Sequence, residues 1–248
     1  MKLITLNTWG GKIYQPLLEF ISKNKDVDIF CFQEIFHNLD EKTSTSDLVA
    51  SDNACKELFN GIKEILVSHK GYFCPIHGPS YGLATFVKKN IKVAEVGDIL
   101  LHKNDNFDPN DDWSDHDRKL QWLKIHSDKD IVIMNIHGHW TGKDKKDNPA
   151  RLHQSKEIVD LLEKFSGLPR ILCGDFNLTP DTESIKMLET DMINLVTKSG
   201  ITSTRTSFYS KSEKFADYIF TSPEVEVVDF KILPDEVSDH TPLLLEFK

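Results

Sequence analysis

RILCGDFNLTP, residues 170–180, opens as an apolar run, breaks at Gly174, and sets Asp175 and Asn177 two positions apart before a segment that starts at Pro180. A short apolar run closed by glycine reads as a buried strand. The stretch before it, DNPARLHQSKEIVDLLEKF (147–165), reads as a helix with Asn148 as N-cap, Pro149 in the first turn and SGLP at its close. A helix that leads straight into a buried strand is the unit of a layered fold of sheets and helices.

Working outward, the same alternation covers the chain. Residues 2–6 (KLITL) and 27–33 (VDIFCFQ) read as strands, with a helix between them that carries Leu17, Leu18, Phe20 and Ile21 on one face. A second helix fits 54–67, where Leu58, Phe59, Ile62, Ile65 and Leu66 fall at helical spacing. Strands follow at 82–88, 91–96, 119–126 and 131–136. A short helix fits after Thr179-Pro180, and further strands fit at 215–221, 224–232 and 242–247. No internal repeat appears, and no linker rich in Gly, Pro or Ser divides the chain, so 1–248 reads as one domain. The fold class is α/β, or an α+β sandwich with helices outside the sheets.

Composition narrows the function classes. The 248 residues are 39% hydrophobic and 28% charged, ordinary globular usage, with no apolar run long enough to span a bilayer. MKLITLNTWGG starts directly as a strand and lacks the pattern of a signal peptide, so the expected location is the cytoplasm. Thirty Lys and Arg against 39 Asp and Glu leave a net charge of −9, which does not advertise a nucleic-acid partner. Nothing indicates an obligate protein partner. The four cysteines, at 31, 55, 74 and 173, form no C-x-x-C pair, and Cys31 and Cys173 lie in strand-like runs where a thiol is usually core.

Two loops stand out. Residues 103–118, KNDNFDPNDDWSDHDR, are acidic around Trp113 but fail the calcium-loop pattern, since counting from Asp108 the sixth and twelfth positions are Trp113 and Lys119. They read as a solvated loop or a lid. GHWTGKDKKDNPAR carries Lys143, Lys145, Lys146 and Arg151 and reads as a hydrated surface turn unless it borders a site.

Polar residues close or open several of the predicted strands. Asn7 follows 2–6, Glu34 follows 27–33, His137 follows 131–136, Asp175 and Asn177 end 170–174, Asp217 precedes a strand, and Asp239-His240 precedes the last one. Loops at strand ends are where layered folds build sites. Singly each has a plainer account: Asp-x-Asn is a common turn, and a lone histidine is usually a hydrogen-bonded core residue. Glu34 is harder to explain that way, because a carboxylate buried after Ile29-Phe30-Cys31-Phe32 is costly without a cation. Together they form an oxygen-rich set without a serine or cysteine nucleophile. Such a set suits Mg²⁺, with Mn²⁺ as a substitute, better than zinc. Such an ion beside a His–Asp pair points to hydrolytic phosphoryl chemistry.

The chain also resembles the endonuclease/exonuclease/phosphatase superfamily, the fold of pancreatic deoxyribonuclease. The motifs that carry the resemblance run in order: LNTWG (6–10), FQEI (32–35), GLATFVKK (82–89), Arg118 before a strand, NIHGHW (135–140), GDFNLTP (174–180), DYIF (217–220) and SDHTPLLLEF (238–247). The resemblance implies a four-layer sandwich of two mixed sheets face to face with helices outside. It further implies Glu34 as the main Mg²⁺ ligand, with Asn7 and Asp239 beside it. Asp175 would orient or deprotonate the attacking water, and Asn177 and Arg118 would contact the phosphate. His240 would be paired with Asp217, and His137 would stabilise the pentacoordinate state or protonate the leaving group.

QEIF after the glutamate strand, and histidine at 137, differ from the QETK and tyrosine of the abasic-site endonucleases. This places the chain nearer the branches that cut ordinary phosphodiesters, phospholipid head groups or phosphomonoesters. The expected function is a metal-dependent phosphoesterase. A nuclease using the loop lysines is the alternative, and a silent binding module is a third reading, set against by the presence of Glu34, Asp175 and His240.

Overall fold

A computed structural model describes residues 1–38, 56–107, 113–126 and 129–248. Two six-stranded mixed sheets carry the architecture. The first contains β1 (Lys2–Asn7), β2 (Ile29–Phe36), β3 (His69–His77), β4 (Tyr81–Lys88), β11 (Val227–Ile232) and β12 (Leu243–Phe247), in the order β11-β12-β1-β2-β4-β3. The second contains β5 (Lys92–His102), β6 (Arg118–His126), β7 (Asp130–His137), β8 (Arg170–Asp175), β9 (Ile193–Asn194) and β10 (Asp217–Thr221), in the order β5-β6-β7-β8-β10-β9.

The two sheets are built alike. In each, one central pair is parallel, β1 with β2 and β7 with β8, and the other pairings are antiparallel. A parallel pair needs a long crossover, and α1 (Tyr14–Lys23) and α3 (Pro149–Lys164) supply it. The start of α3 follows its sequence signal, with the Asn148 side chain accepting from Arg151 N at 2.9 Å and Pro149 at the first position. Among the described residues the remaining α-helices are α2 (Leu58–Ile65), α4 (Glu183–Glu189) and α5 (Leu195–Lys198).

Strand alternation divides the side chains between two hydrophobic layers. Leu3, Ile29 and Cys31 join residues of β6, β7, β8 and β10 in one core, while Ile4, Leu6, Phe30 and Phe32 pack with Leu17, Phe20, Ile21, Leu58 and Ile62 of α1 and α2. Each such Leu, Ile or Phe contributes about 1.5–3 kcal/mol by leaving water. A buried polar tie crosses between the sheets: Gln33 Nε2 donates to Asn135 Oδ1 at 2.7 Å, and Thr85 Oγ1 to Gln121 Oε1 at 2.7 Å. Gln33 and Asn135 come just before Glu34 and His137, so the tie fixes the sheets against each other beneath those residues.

Three strands depart from the sequence reading. β3 was not expected, because HKGYFCPIH interrupts its apolar residues with Gly71 and Pro75, and it is an edge strand, where proline is tolerated. β5 extends to His102 rather than ending at 96; it is the other sheet's edge and is largely exposed, so it carries little alternation. β9, with only two residues, is too short to show a pattern. Of the expected helix 54–67, residues 54 and 55 lie outside the described residues.

Candidate active site

The register of the second sheet places three of the polar residues in one row. His137 on β7 is opposite Asp175 on β8, which is opposite Asp217 on β10. Gly174 makes this row possible. Its φ is +132°, and a Cβ there would lie 2.2 Å from the Ile136 carbonyl oxygen, so only glycine fits. Beyond Asp175 the chain turns at Asn177, which has a φ of +54°. The Asp175 Oδ1 accepts from Asn177 N at 2.8 Å, and Asn177 Nδ2 donates to the Gly138 carbonyl at 3.2 Å. The Asp-x-Asn is thus a turn by backbone and part of a polar row by side chain.

The first sheet contributes from the ends of its parallel pair. The pairing of β2 with β4 shifts between Phe32 and Ile35, and Glu34 lies within this bulge at a φ of +58°. A bulge re-aims a side chain, and strain of this kind concentrates at functional sites. Asn7 links the two sheets here: its Nδ2 donates to Glu34 Oε1 at 2.9 Å and to Asp175 Oδ2 at 3.0 Å, while its Oδ1 accepts from Trp9 N at 2.9 Å. The face it turns to the carboxylates is therefore its amide nitrogen.

His240 donates through Nδ1 to both oxygens of Asp217, at 2.8 and 2.9 Å. Its Nε2 lies 3.6 Å from Asp175 Oδ2 and 3.7 Å from Asp239 Oδ1. Burial and Arg205 work against its charge, and the carboxylates of Asp217, Asp239 and Asp175 outweigh them, so its pKa is raised. Burial alone would push Asp175 up, but His240, Lys145, His137 and Arg205 together hold its carboxyl well below the ordinary range. Glu34 is pushed up by burial, against the Asn7 hydrogen bond and with the charge of Asp239.

His137 meets a cation. Arg118 Nη1 donates to His137 Nε2 at 2.9 Å, and Arg118 Nη2 donates to the Ser114 carbonyl at 2.8 Å. A guanidinium has no acceptor, so Nε2 presents its lone pair and the proton is on Nδ1. Burial, then Arg118, lowers the His137 pKa well below its ordinary value.

All the expected residues except Asn7 and Asp217 line one cleft of about 470 Å³: Glu34, Arg118, His137, Asp175, Asn177, Asp239 and His240. Asn7 and Asp217 are behind them, both buried. Two further cations line this cleft: Lys145, which the sequence gives only as one of the loop lysines of the nuclease alternative, and Arg205, which it does not single out. Lys145 is 1% exposed, and among the described residues its Nζ has no hydrogen-bond partner. Burial, then Arg205, lowers its pKa to about 8. Arg205 donates to Asp239 Oδ2 at 3.1 Å and stacks 4.0 Å over the Tyr209 ring. Lys145 was hidden among neighbouring lysines, and the surface-turn reading of its loop is corrected here: Lys145 and Arg151 are buried, and the loop borders the cleft. Arg205 sits in a stretch without periodicity, so no sequence signal pointed to it.

The acidic loop divides in the same way. Its residues 108–112 and the Trp113 side chain lie outside the described residues. Ser114 and His116 line the cleft, whereas Asp115 turns to His102 and His139.

The donor set can hold a cation. Glu34 and Asp239 share the cleft and raise each other's cost, and among the described residues the one hydrogen bond to the Glu34 carboxylate comes from Asn7. Two such oxygens suit a hard divalent ion. Asp175, Asp217 and His240 also bring ligand atoms within 4.8 Å of one another, although both Asp217 oxygens already accept from His240.

No curated protein matches the sequence. Among solved structures, a conserved protein of unknown function from Enterococcus faecalis aligns over 100% of this chain and 99% of its own, with TM-score 0.75 and 19% identity. A mannosyl-6-phosphatase from Bacteroides thetaiotaomicron gives 0.72 at 19% identity, covering 100% and 99%. The catalytic domain of human Nocturnin gives 0.67 at 18%, covering 100% and 93%. At these identities the likeness shows the fold. Residues 4–240 match the model of the endonuclease/exonuclease/phosphatase family, and the chain belongs to that family.

Proposed function

We propose that this protein is a Mg²⁺-dependent phosphoesterase that hydrolyses a phosphodiester or phosphomonoester by in-line attack of water. The observation that carries the reading is the row His137, Asp175 and Asp217, completed by His240 and facing Glu34 across one cleft. Glu34 and Asp239 would hold the Mg²⁺, which would supply charge neutralisation at the phosphate and leaving oxygen.

The chain's own residues do the rest. Asp175 is ionised and held at both oxygens by Asn177 N and Asn7 Nδ2, so it is an oriented base for water. Cationic His240, held by Asp217, directs its Nε2–H into the cleft as an oxyanion donor. Arg118, gripped by His137 and the Ser114 carbonyl, places a fixed positive charge at the phosphate. In this role His137 orients the arginine, and at Nε2 it has no proton to give. Lys145, buried and without a hydrogen-bond partner for its ammonium among the described residues, adds a third cation beside His240 and Arg118.

One feature favours a nuclease or nucleotide reading. Trp9, Trp140 and Tyr209 line the cleft, with Lys12 4.7 Å over Trp9, Lys211 4.5 Å over Trp140 and Arg205 over Tyr209. Such a rim can stack a base while its cations meet phosphate.

The test is a substrate panel with Mg²⁺: bis-p-nitrophenyl phosphate, p-nitrophenyl phosphate and supercoiled plasmid, with a chelator control. Release of p-nitrophenol supports the first reading, and plasmid nicking supports the second. No turnover of any of the three by folded protein contradicts both.

A further inference from the structure

On the far side of the Ser114 turn from the cleft, three residues from separate parts of the chain converge. His102 ends β5, Asp115 closes the 3₁₀ turn Trp113–Asp115, and His139 follows β7. His102 Nε2 is 2.9 Å from Asp115 Oδ1, and His139 Nε2 is 2.7 Å from the same oxygen. The two imidazole rings lie 4.1 Å apart, centroid to centroid, at 32°. We propose that His102, Asp115 and His139 form a binding site for a zinc-class divalent transition ion, separate from the Mg²⁺ site.

Convergence is the first argument. Two imidazoles that only needed hydrogen bonds could take one carboxylate oxygen each, yet both aim at one oxygen, and the three ligand atoms lie within 4.8 Å of one another. Tetrahedral zinc at ~2.0–2.1 Å from each ligand needs them about 3.3 Å apart. Opening the present 2.7 and 2.9 Å contacts by about half an ångström brings both His–Asp separations to that value.

Donor chemistry is the second. Two imidazole nitrogens and one carboxylate select zinc, cobalt or nickel over magnesium, the reverse of the all-oxygen pair Glu34 and Asp239. Burial lowers the His139 pKa to about 4, so the ring is neutral; its Nε2 now donates to Asp115, and ligation would move that proton to Nδ1, which has no hydrogen-bond partner among the described residues. Access is the third. The Asp115 side chain is 52% exposed, which gives an entry path and leaves water to complete the coordination, while His139 is buried and rigid. The backbone on either side of His139 is fixed by Gln154 Oε1, which accepts from His139 N at 2.8 Å, and by Arg151 Nε, which donates to its carbonyl.

The ion would be a strut. It would pin the turn whose Ser114 carbonyl accepts from Arg118, joining the ends of β5 and β7 to that turn.

The experiment loads full-length protein with Zn²⁺ or Co²⁺, dialyses it against metal-free buffer containing Mg²⁺, and reads metal content and the visible cobalt spectrum. Wild type and Glu34→Gln should each retain one ion per chain and show the intense d–d bands of a four- or five-coordinate site. His102→Asn and Asp115→Asn should lose both signals while keeping the wild-type circular dichroism. The proposal is overturned if wild type retains no ion, if His102→Asn and Asp115→Asn retain it fully, or if Glu34→Gln loses it instead. Should one variant fail to fold, the wild-type cobalt spectrum and the other variant still decide.

Discussion

Arg118 Nη1 lies 2.9 Å from His137 Nε2, and this contact fixes the tautomer of His137. The guanidinium can only donate, so His137 is neutral, while the carboxylates of Asp217, Asp239 and Asp175 raise the His240 pKa against burial and Arg205. Nitrogen NMR of His137 should therefore show the Nδ1–H tautomer at pH 6.5. Arg118→Gln should move its titration upward but leave it below 6.5, because burial is the larger cause. The sign for stability follows: with the folded pKa below 6.5, the unfolded chain binds more protons, and stability falls as pH drops from 6.5 toward the folded value. A protonated His137 ring at pH 6.5 would contradict the assignment.

Lys145 gives a pH signature in the opposite range. Its charged form binds anion, so kcat/KM should decline as pH rises through about 8. Lys145→Arg should carry activity past that limb, since guanidinium stays charged. In the same window the folded chain holds fewer protons than the unfolded one, so stability should rise from pH 8 to 10.5. An unchanged limb in Lys145→Arg would remove Lys145 from the site.

Glu34 and Asp239 make a testable pair. Glu34→Gln removes a buried like-charge repulsion, so without divalent ion its thermal midpoint should equal or exceed that of wild type. Mg²⁺ should then raise the wild-type midpoint and leave the variant's nearly unmoved. Equal shifts would exclude Glu34 as a ligand.

The tie between the sheets should matter for stability more than for chemistry. Asn135→Leu removes the 2.7 Å acceptor of buried Gln33 Nε2 and leaves it the 3.2 Å contacts to Thr5 Oγ1 and the Cys31 carbonyl, a loss of about 0.5–1.5 kcal/mol measurable by denaturant unfolding. Replacing both residues with leucine should recover part of that loss. If the double variant is no more stable than Asn135→Leu, the tie is not what holds these strands.

Much of this was legible in the sequence because the informative residues end regular strands. Glu34, His137 and Asp175 follow apolar runs whose period is unmistakable, and the two βαβ units around α1 and α3 are plain from spacing and from the Asn148-Pro149 start. What stayed hidden depends on tertiary position. β3 and β5 are edges, where burial is one-sided and a proline is permitted. Lys145 resembles its exposed neighbours until the fold buries it, and His139 lies past the end of β7, where strand alternation no longer says which way a side chain turns. The resemblance implies Asn7 as a metal neighbour, and the structure puts its amide nitrogen on both carboxylates.

The most direct test of the central claim is Mg²⁺-dependent hydrolysis of bis-p-nitrophenyl phosphate by wild type beside Asp175→Asn. Asp175 is the oriented base, so the variant should keep its fold and lose turnover by ~10²–10⁴-fold. An Asp175→Asn enzyme that turns over within a few fold of wild type would contradict the mechanism.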